Sequence, residues 1–195
     1  GPVDAFRLDE LIAGRLPNGV SLERMEGGIN VHRSGYDLTF SAPKSVSVLI
    51  ALYGENRLLE AWNRAVSETL KEVESLVSSR VMKEGETETQ LTQKAVIATF
   101  NHDTSRNLDP QLHTHALFLN MTPTESGWRT LASGTVRKDG FIEAVYANQL
   151  ALGQIQLNLL RRQVEAMGYE TVDTGKNGLW EIKGVPVDIF STRSQ

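Results

Sequence analysis

Residues 101–120 read NHDTSRNLDPQLHTHALFLN, and three of the four histidines of the chain lie in this stretch. His113 and His115 are two positions apart, in a run with apolar residues on both sides. Because side chains alternate between the two faces of a β-strand, this spacing predicts both imidazoles on one face. His102 ends a second apolar run, and a polar, turn-prone segment over residues 103–111 separates the two runs.

The two runs predict an antiparallel hairpin that brings the third histidine to the other two. If the hairpin is centred near Asn107–Leu108, His102 lies opposite His113, and opposed Cβ atoms on one face are roughly 5 Å apart. Three imidazoles on one patch are costly to bury without a common partner. We therefore interpret them as a facial metal site with open coordination positions, which suits catalysis better than a closed structural site does.

Length and composition favour one globular domain over residues 1–195, with a hydrophobic fraction of 40% and no cysteine. The lack of cysteine excludes disulfides and thiolate ligands, so a metal would have nitrogen and oxygen ligands. No apolar run approaches the ~20 residues of a membrane span, and no signal peptide is visible, so we expect a cytoplasmic protein without membrane insertion. The net charge of −4 argues against coating of nucleic acid by bulk electrostatics but leaves room for a local basic cleft.

The coarse pattern predicts an α+β fold with largely antiparallel strands. Apolar residues recur at three- and four-residue steps over 55–79 and 143–167, which indicates two long amphipathic helices. Tyr36–Ser41 alternates apolar and polar side chains and predicts a half-buried strand. Ser41 is then expected to be the N-cap of the next helix, with Ala42 and Pro43 in its first turn. Residues 27–35 are expected to form a loop.

Asp37, Arg106 and Lys44 are the other candidate site residues. Asp37, on the polar face of its strand, would take a proton or orient a metal-bound histidine if that strand adjoins the hairpin; the alternative is an exposed edge carboxylate. Arg106, in the turn beside His102, suits a phosphate oxygen, or else pairs with a neighbouring aspartate. Lys44 lies in the first turn of a helix, where phosphate binds well, or is simply solvated.

The ends of the chain indicate a piece of a longer protein. Gly1-Pro2 resembles the product of protease cleavage, and Phe190–Gln195 contains no closing element. We expect a core domain that is truncated at both ends.

Three motifs together resemble the relaxase domain of MobF-class conjugative relaxases, which belong to the His–hydrophobe–His endonuclease superfamily. The motifs are YDLTFSAPKSVS over residues 36–47, NHDTSR over 101–106 and PQLHTHA over 110–116. The similarity extends from near Val3 to Gln195, and Thr114 stands where the superfamily name has a hydrophobic residue.

This resemblance implies a palm-like antiparallel sheet flanked by helices, and site- and strand-specific nicking of single-stranded DNA at a plasmid transfer origin. It implies that His102, His113 and His115 hold one divalent ion, Mg²⁺ or Mn²⁺, with Zn²⁺ as a further option. Asp37 would orient a ligand or activate the nucleophile, and Arg106 would lie near the scissile phosphate. A tyrosine would attack phosphorus by transesterification and leave a 5′-phosphotyrosyl link.

The family's nucleophilic tyrosines lie upstream of the part that matches this chain. The four tyrosines here, at positions 36, 53, 146 and 169, are in other sequence contexts. We therefore expect no nucleophile among these 195 residues. The family also implies a linked helicase, relaxosome accessory proteins and a secretion coupling protein as partners, in the cytoplasm of a bacterial donor cell from which the protein is translocated with DNA.

Two other functions fit the same histidines. One is a metal-dependent phosphoester hydrolase, in which a water bound at the trihistidine site attacks without a covalent intermediate. The other is a non-catalytic module that binds single-stranded DNA.

Overall fold

The computed structural model describes residues 1–106, 108–134 and 139–188. The helices are α1 (Ala5–Ile12), α2 (Lys44–Tyr53), α3 (Asn56–Ser75) and α4 (Phe141–Ala166). The strands are β1 (Arg24–Glu26), β2 (Ile29–Val31), β3 (Gly35–Ser41), β4 (Ser78–Lys83), β5 (Glu86–Leu91), β6 (Ile97–Thr104), β7 (Pro110–Leu119), β8 (Thr122–Thr124), β9 (Gly127–Arg129), β10 (Thr171–Asp173) and β11 (Trp180–Ile182). The predicted α+β fold class is confirmed.

The largest sheet has the strand order β3–β7–β6, so β7 pairs on both of its edges. Its pairing with β3 is antiparallel, since Ala42 N donates to Leu112 O near one end and Asn120 N to Ser34 O near the other. The remaining strands form antiparallel two-stranded hairpins, β1–β2, β4–β5, β8–β9 and β10–β11. The strand predicted over Tyr36–Ser41 is therefore adjacent to the histidine-bearing strand β7.

The chain forms two compact units, each built from three separate stretches. Unit 1 consists of residues 1–38, 72–99 and 116–148, and unit 2 consists of residues 39–71, 100–115 and 149–195. No helix among the described residues is both long enough and apolar enough to cross a membrane.

Unit 1 has a core built from α1 and the strands that follow it. Leu16, Leu119 and Met121 are buried together, and the apolar face of α1 packs on them. A second contact is aromatic: the ring of Phe141, at the start of α4, lies 5.2 Å from that of Phe118. The packing of α1 on this cluster explains why the helix has its apolar residues on one face.

Unit 2 is built around α3. Trp62 is fully buried, as are Leu58, Ala61 and Ala65 at helical spacing around it. The C-terminal part of α4 lies nearby, because Arg64 Nε donates to Gln163 Oε1 at 2.7 Å. The apolar stripe read from the sequence is thus the buried face of this helix.

The N-terminus of α2 differs from the prediction. The helix begins at Lys44, and its N-cap residue, Pro43, makes no side-chain hydrogen bond. Ser41 is the last residue of β3, so it is not the N-cap, and Ala42 and Pro43 precede the helix. These expectations were wrong.

The carboxylate of Glu181 on β11 caps the N-terminus of α2. It accepts hydrogen bonds from the backbone amides of Lys44 and Ser45, at 3.1 and 2.7 Å, and also from the Ser45 hydroxyl. A carboxylate at a helix N-terminus is favourable, because the first amides of a helix have no partner within it. Position 181 is too far along the chain for sequence pattern to reveal this cap.

Three other expectations need correction. Residues 27–35 are not simply a loop, because Gly27-Gly28 is the turn of the β1–β2 hairpin. The helix predicted over 55–79 ends at Ser75, and Ser78 and Ser79 belong to β4. The strands of the histidine hairpin are longer than the alternation indicated, so residues 103–111 contain strand at both ends.

We expect Glu181→Ala to lower the free energy of unfolding by about 2 kcal/mol, because it leaves the first amides of α2 and the buried Ser45 hydroxyl without their acceptor. Urea denaturation of the variant and the parent protein measures this difference.

Glu170→Ala is the matched control. Its carboxylate pairs with Lys183 at 2.6 Å, but both side chains are largely exposed, so its removal should change stability little. Equal stability losses in the two variants would contradict the capping role of Glu181.

Candidate functional site

The three clustered histidines meet on one patch of unit 2. Ring centroids are 5.1 Å apart for His102 and His113, 5.2 Å for His102 and His115, and 5.3 Å for His113 and His115. His102 is exposed, and the other two are half-buried. The predicted convergence of the three imidazoles is thus present in the fold.

The alternation of β7 explains why the imidazoles face outwards. Leu112, Thr114 and Ala116 are buried, whereas His113 and His115 between them are only partly covered. One face of the strand therefore packs into the core while the other presents the histidines.

Contacts along β6 and β7 agree with the predicted pairing of His102 and His113. If His102 is opposite His113, then Asn101 is opposite Thr114. In the structure Thr114 Oγ1 donates to Asn101 Oδ1 at 2.6 Å, as that register requires. Leu119 N donates to Val96 O at 2.9 Å, again in the same register. Asn107, one half of the predicted centre, lies outside the described residues.

The Nδ1 atoms of His113 and His115 each lie within hydrogen-bond distance of a protein oxygen. His113 Nδ1 lies 3.0 Å from Gln111 O, and His115 Nδ1 lies 3.3 Å from Thr39 Oγ1. A histidine that donates from one ring nitrogen to a carbonyl keeps the other as a lone-pair ligand, which is the usual arrangement around bound metals. The His113 ring, whose Nδ1 faces a carbonyl, thus keeps Nε2 as its lone-pair nitrogen.

The donor set fits a divalent ion in number and spacing. Three imidazoles bound to one ion at about 2.1 Å have ring centroids roughly 5 Å apart, close to the spacing of these rings. As the side chains stand, no group of three or more His, Cys, Asp or Glu in the described part of the chain is already arranged as a complete metal site. The rings of His102 and His113 are stacked at 17°, so metal binding would require these side chains to rearrange.

A chain of hydrogen bonds beneath the histidines fixes the two strands against α3. The buried hydroxyl of Thr114 accepts from Trp62 Nε1 at 2.8 Å and donates to Asn101 Oδ1. Asn101 Nδ2 in turn donates to Asn63 Oδ1 at 2.8 Å. Because Thr114 lies between His113 and His115, this chain holds the backbone from which both rings project.

Asp37 is an exposed residue of β3. It precedes Thr39 by two positions, so the two side chains leave the same face of the strand. The role proposed for Asp37 from the sequence requires that β3 adjoin the histidine hairpin. In the structure β3 pairs with β7, so this requirement is met.

The two basic candidates, Arg106 and Lys44, have different surroundings in the structure. Arg106 is exposed in the turn after β6, and it pairs with neither Asp103 nor Asp109; among the described residues it has no ion-pair partner. The backbone amide of Lys44 is bound to Glu181. The helix N-terminus at Lys44 is therefore already occupied by a carboxylate.

The family model described as TrwC relaxase matches residues 1–195, the whole chain. The chain belongs to the TrwC relaxase family.

Relatives of this TrwC-family chain include the multifunctional conjugation protein TraI of Escherichia coli strain K12. The two are 55% identical over 195 residues, which is 100% of this chain and 11% of TraI. A second Escherichia coli TraI is 54% identical over the same share of each chain. The chain thus spans about a tenth of the length of the curated relatives it matches.

Solved structures similar to this TrwC-family chain include the conjugative relaxase TrwC in complex with oriT DNA. The metal-free complex has a TM-score of 0.86 at 34% identity, and the match covers 98% of this chain and 66% of TrwC. A metal-bound complex gives the same TM-score and identity, with 65% of that chain covered. A copper-bound complex gives a TM-score of 0.81 at 35% identity, over 93% of this chain and 59% of TrwC.

Sequence reasoning found the three histidines of this TrwC-family domain but not the residues that hold them. Thr39 contacts a histidine from the neighbouring strand, and Asn101 joins β6 to Thr114. One signal was available for Thr114: a polar residue at the buried position of an otherwise apolar alternation requires a hydrogen-bond partner.

We expect Thr114→Val to destabilise the fold by about 1–3 kcal/mol, since it leaves the buried Trp62 N–H without an acceptor and Asn101 without a donor. Thr114→Ser keeps the hydroxyl and is the matched control. Urea denaturation compares the two variants, and a valine variant as stable as the serine variant would show that the hydrogen-bond chain contributes nothing.

Proposed function

We propose that this chain is the core of a conjugative relaxase, and that in the intact protein it nicks one strand of DNA at a plasmid transfer origin. The observation that carries the proposal is the trihistidine patch on β6 and β7, with ring centroids 5.1–5.3 Å apart. Membership of the relaxase family and the likeness to TrwC bound to oriT DNA support the choice of single-stranded DNA as substrate.

The proposed metal ligands are His102, His113 and His115, and Nε2 is the proposed ligand atom of His113, whose Nδ1 lies against Gln111 O. A divalent cation at this site would polarise the scissile phosphate as a Lewis acid. Imidazole ligands suit the softer ions, whereas abundance in the cell favours magnesium; we propose Mg²⁺ or Mn²⁺, with Zn²⁺ as a further option.

The remaining candidates have roles that follow from their chemistry. Asp37 is proposed to orient a ligand histidine or to accept the proton of the attacking hydroxyl. Arg106, exposed and without an ion-pair partner among the described residues, is proposed to bind an oxygen of the scissile phosphate. Lys44 is proposed to contact phosphate through its ammonium group, because the amide at that position is bound to Glu181.

We propose that none of the four tyrosines in this chain is the nucleophile. The Tyr36 hydroxyl accepts from Arg33 at 3.2 Å, and its ring packs edge-on against Phe141. The Tyr169 hydroxyl donates to Glu55 at 2.9 Å; burial and then this carboxylate raise the pKa of the phenol, which opposes its ionisation. Tyr53 and Tyr146 are exposed on helices, and neither hydroxyl has a hydrogen-bond partner among the described residues.

The cellular setting is part of the same proposal. Family membership supports a cytoplasmic protein of a bacterial donor cell, together with relaxosome accessory proteins, a secretion coupling protein and a linked helicase as partners.

We expect calorimetric titration with Mn²⁺ to give about one ion per chain, because three imidazoles form one facial site. The His102→Ala, His113→Ala, His115→Ala triple variant should bind none. His32→Ala removes the one other histidine, and retained binding in this control together with loss in the triple variant assigns the site. Unchanged binding in the triple variant would refute it.

We expect no covalent protein–DNA adduct when the 195-residue chain is incubated with Mn²⁺ and a single-stranded oligonucleotide that contains a transfer-origin nick site. Denaturing electrophoresis detects such an adduct, and a tyrosyl adduct would contradict the proposal about the nucleophile.

The same gel, run beside a native gel of the same mixtures that detects binding, separates the other two functions. Cleavage without an adduct that is lost in the triple histidine variant would favour the hydrolase. Binding of the oligonucleotide that survives chelation, without any cleavage by the intact protein, would favour the binding module.

A further inference from the structure

Two exposed turns of the chain contain an asparagine followed by a glycine. The pairs are Asn18-Gly19 and Asn177-Gly178, and all four residues are exposed. In such a pair the glycine amide nitrogen can attack the side-chain carbonyl of the asparagine, because glycine has no Cβ to shield its backbone. The local sequence and the exposure are the same for both pairs. A difference in their reactivity would therefore come from the hydrogen bonds of each turn.

The turn at Asn18 holds both groups that would react. Gly19 N donates to Leu16 O at 3.0 Å, so the attacking nitrogen is engaged. Asn18 Oδ1 accepts from Val20 N at 3.3 Å, which ties the side-chain amide to the same turn. The turn itself is closed by a hydrogen bond from Leu16 N to Val20 O at 2.9 Å, and Leu16 is buried. Attack at this pair would require several of these contacts to break together.

The turn at Asn177 holds neither reacting group. Among the described residues, Gly178 N donates no backbone hydrogen bond, and the side chain of Asn177 makes none. The loop between β10 and β11 is closed further out, where Thr174 N donates to Leu179 O at 3.0 Å. The attacking nitrogen and the carbonyl carbon can therefore approach each other without loss of a hydrogen bond.

Backbone strain and open space act in the same direction at this turn. Asn177 has a φ of +63°, in the left-handed region that costs an L-residue free energy, so departure from this conformation is inexpensive. A Cβ added to Gly178 would meet only Gln154 Cγ, at 3.8 Å, among the described residues. The turn thus has room for the five-membered ring that the attack forms.

We propose that Asn177 is a site of spontaneous deamidation in the folded protein, and that the fold protects Asn18 from the same reaction. The proposal concerns a modification of the chain itself and does not rest on the proposed function. Its support is the contrast between an engaged nitrogen at Gly19 and one without a hydrogen bond at Gly178.

The reaction requires no reagent other than solvent water. Gly178 N forms a bond to Asn177 Cγ, the bond from Cγ to Nδ2 breaks, and the amide proton of Gly178 leaves with Nδ2 as ammonia. Water then adds to either carbonyl of the cyclic imide and opens the ring. The products are an aspartate in the normal chain or an isoaspartate, whose main chain runs through the side-chain carbons.

Isoaspartate at position 177 would strain the β10–β11 hairpin, because it lengthens the main chain between the paired residues Asp173 and Trp180 by a methylene group. Trp180 is buried, and its Nε1 donates to Leu157 O at 3.1 Å. The next residue, Glu181, caps α2. We therefore expect the modified protein to have a weaker hairpin and a lower free energy of unfolding.

The first test follows both pairs in the 195-residue chain by peptide mapping and mass spectrometry, during incubation in neutral buffer with and without denaturing urea. For each asparagine, the rate in the folded protein is divided by its rate in urea, which removes the influence of neighbouring sequence. We expect this ratio to be several-fold lower for Asn18 than for Asn177, because only the first turn engages its glycine nitrogen. Equal ratios, or a lower ratio for Asn177, would overturn the proposal.

The second test measures the consequence for the hairpin by urea denaturation of fresh and incubated protein. Asn177→Gln should show no conversion at this position and no change on incubation, because its longer side chain cannot form the five-membered ring. Asn177→Asp is the matched control, since it carries the new charge without the longer main chain. We expect the incubated parent protein to be less stable than either variant. Isoaspartate at position 177 without any loss of stability would refute the weakening of the hairpin.

Discussion

The alternation of buried and half-buried side chains along β7, from Leu112 to Phe118, is the constraint on which the site depends. Leu112 and Phe118 are buried on one face, and His113 and His115 project from the other. A slip of one residue in the pairing of β7 would move every side chain to the opposite face, with imidazoles in the core and Phe118 in water. The free energy that fixes the core therefore also fixes the register of the site, and the buried Thr114 hydroxyl reinforces it because its two partners lie on different elements.

The parts that sequence predicts well are those whose causes are local. The three histidines lie on one hairpin, so periodicity and turn position alone bring them together, and Tyr36–Ser41 shows its own alternation. The cap of α2 has a different origin. Ser41 has the right chemistry for an N-cap, but β3 continues through it, and Glu181 satisfies the helix amides from β11. No pattern around residue 41 contains that information.

The β1–β2 hairpin, and the cavity beside it that His32, Arg33 and Arg80 line, escaped prediction for related reasons. Strand residues Met25 and Ile29 are exposed, so this hairpin has no buried face to produce a clear alternation. Arg33 and Arg80 are 47 positions apart; Arg33 lies between β2 and β3, and Arg80 lies on β4. Their relation becomes visible only when the folded chain brings both to one wall, whereas the histidine cluster was visible as a short motif.

Net charge is a poor guide to what this chain binds, because many of its arginines are locally neutralised. Arg15, Arg57 and Arg161 each donate to carboxylates, and the partner of Arg57, Glu55, has a pKa lowered to about 2 by that guanidinium and then by Tyr169. Such pairs add little to the field that a DNA strand meets at a distance. Arg33 and Arg80 have no carboxylate partner in the described part of the chain. A local excess of unpaired guanidinium can therefore attract phosphate on a protein that is acidic overall, since the field at a site is set by its nearest charges and weakens within roughly one Debye length, about 8–10 Å.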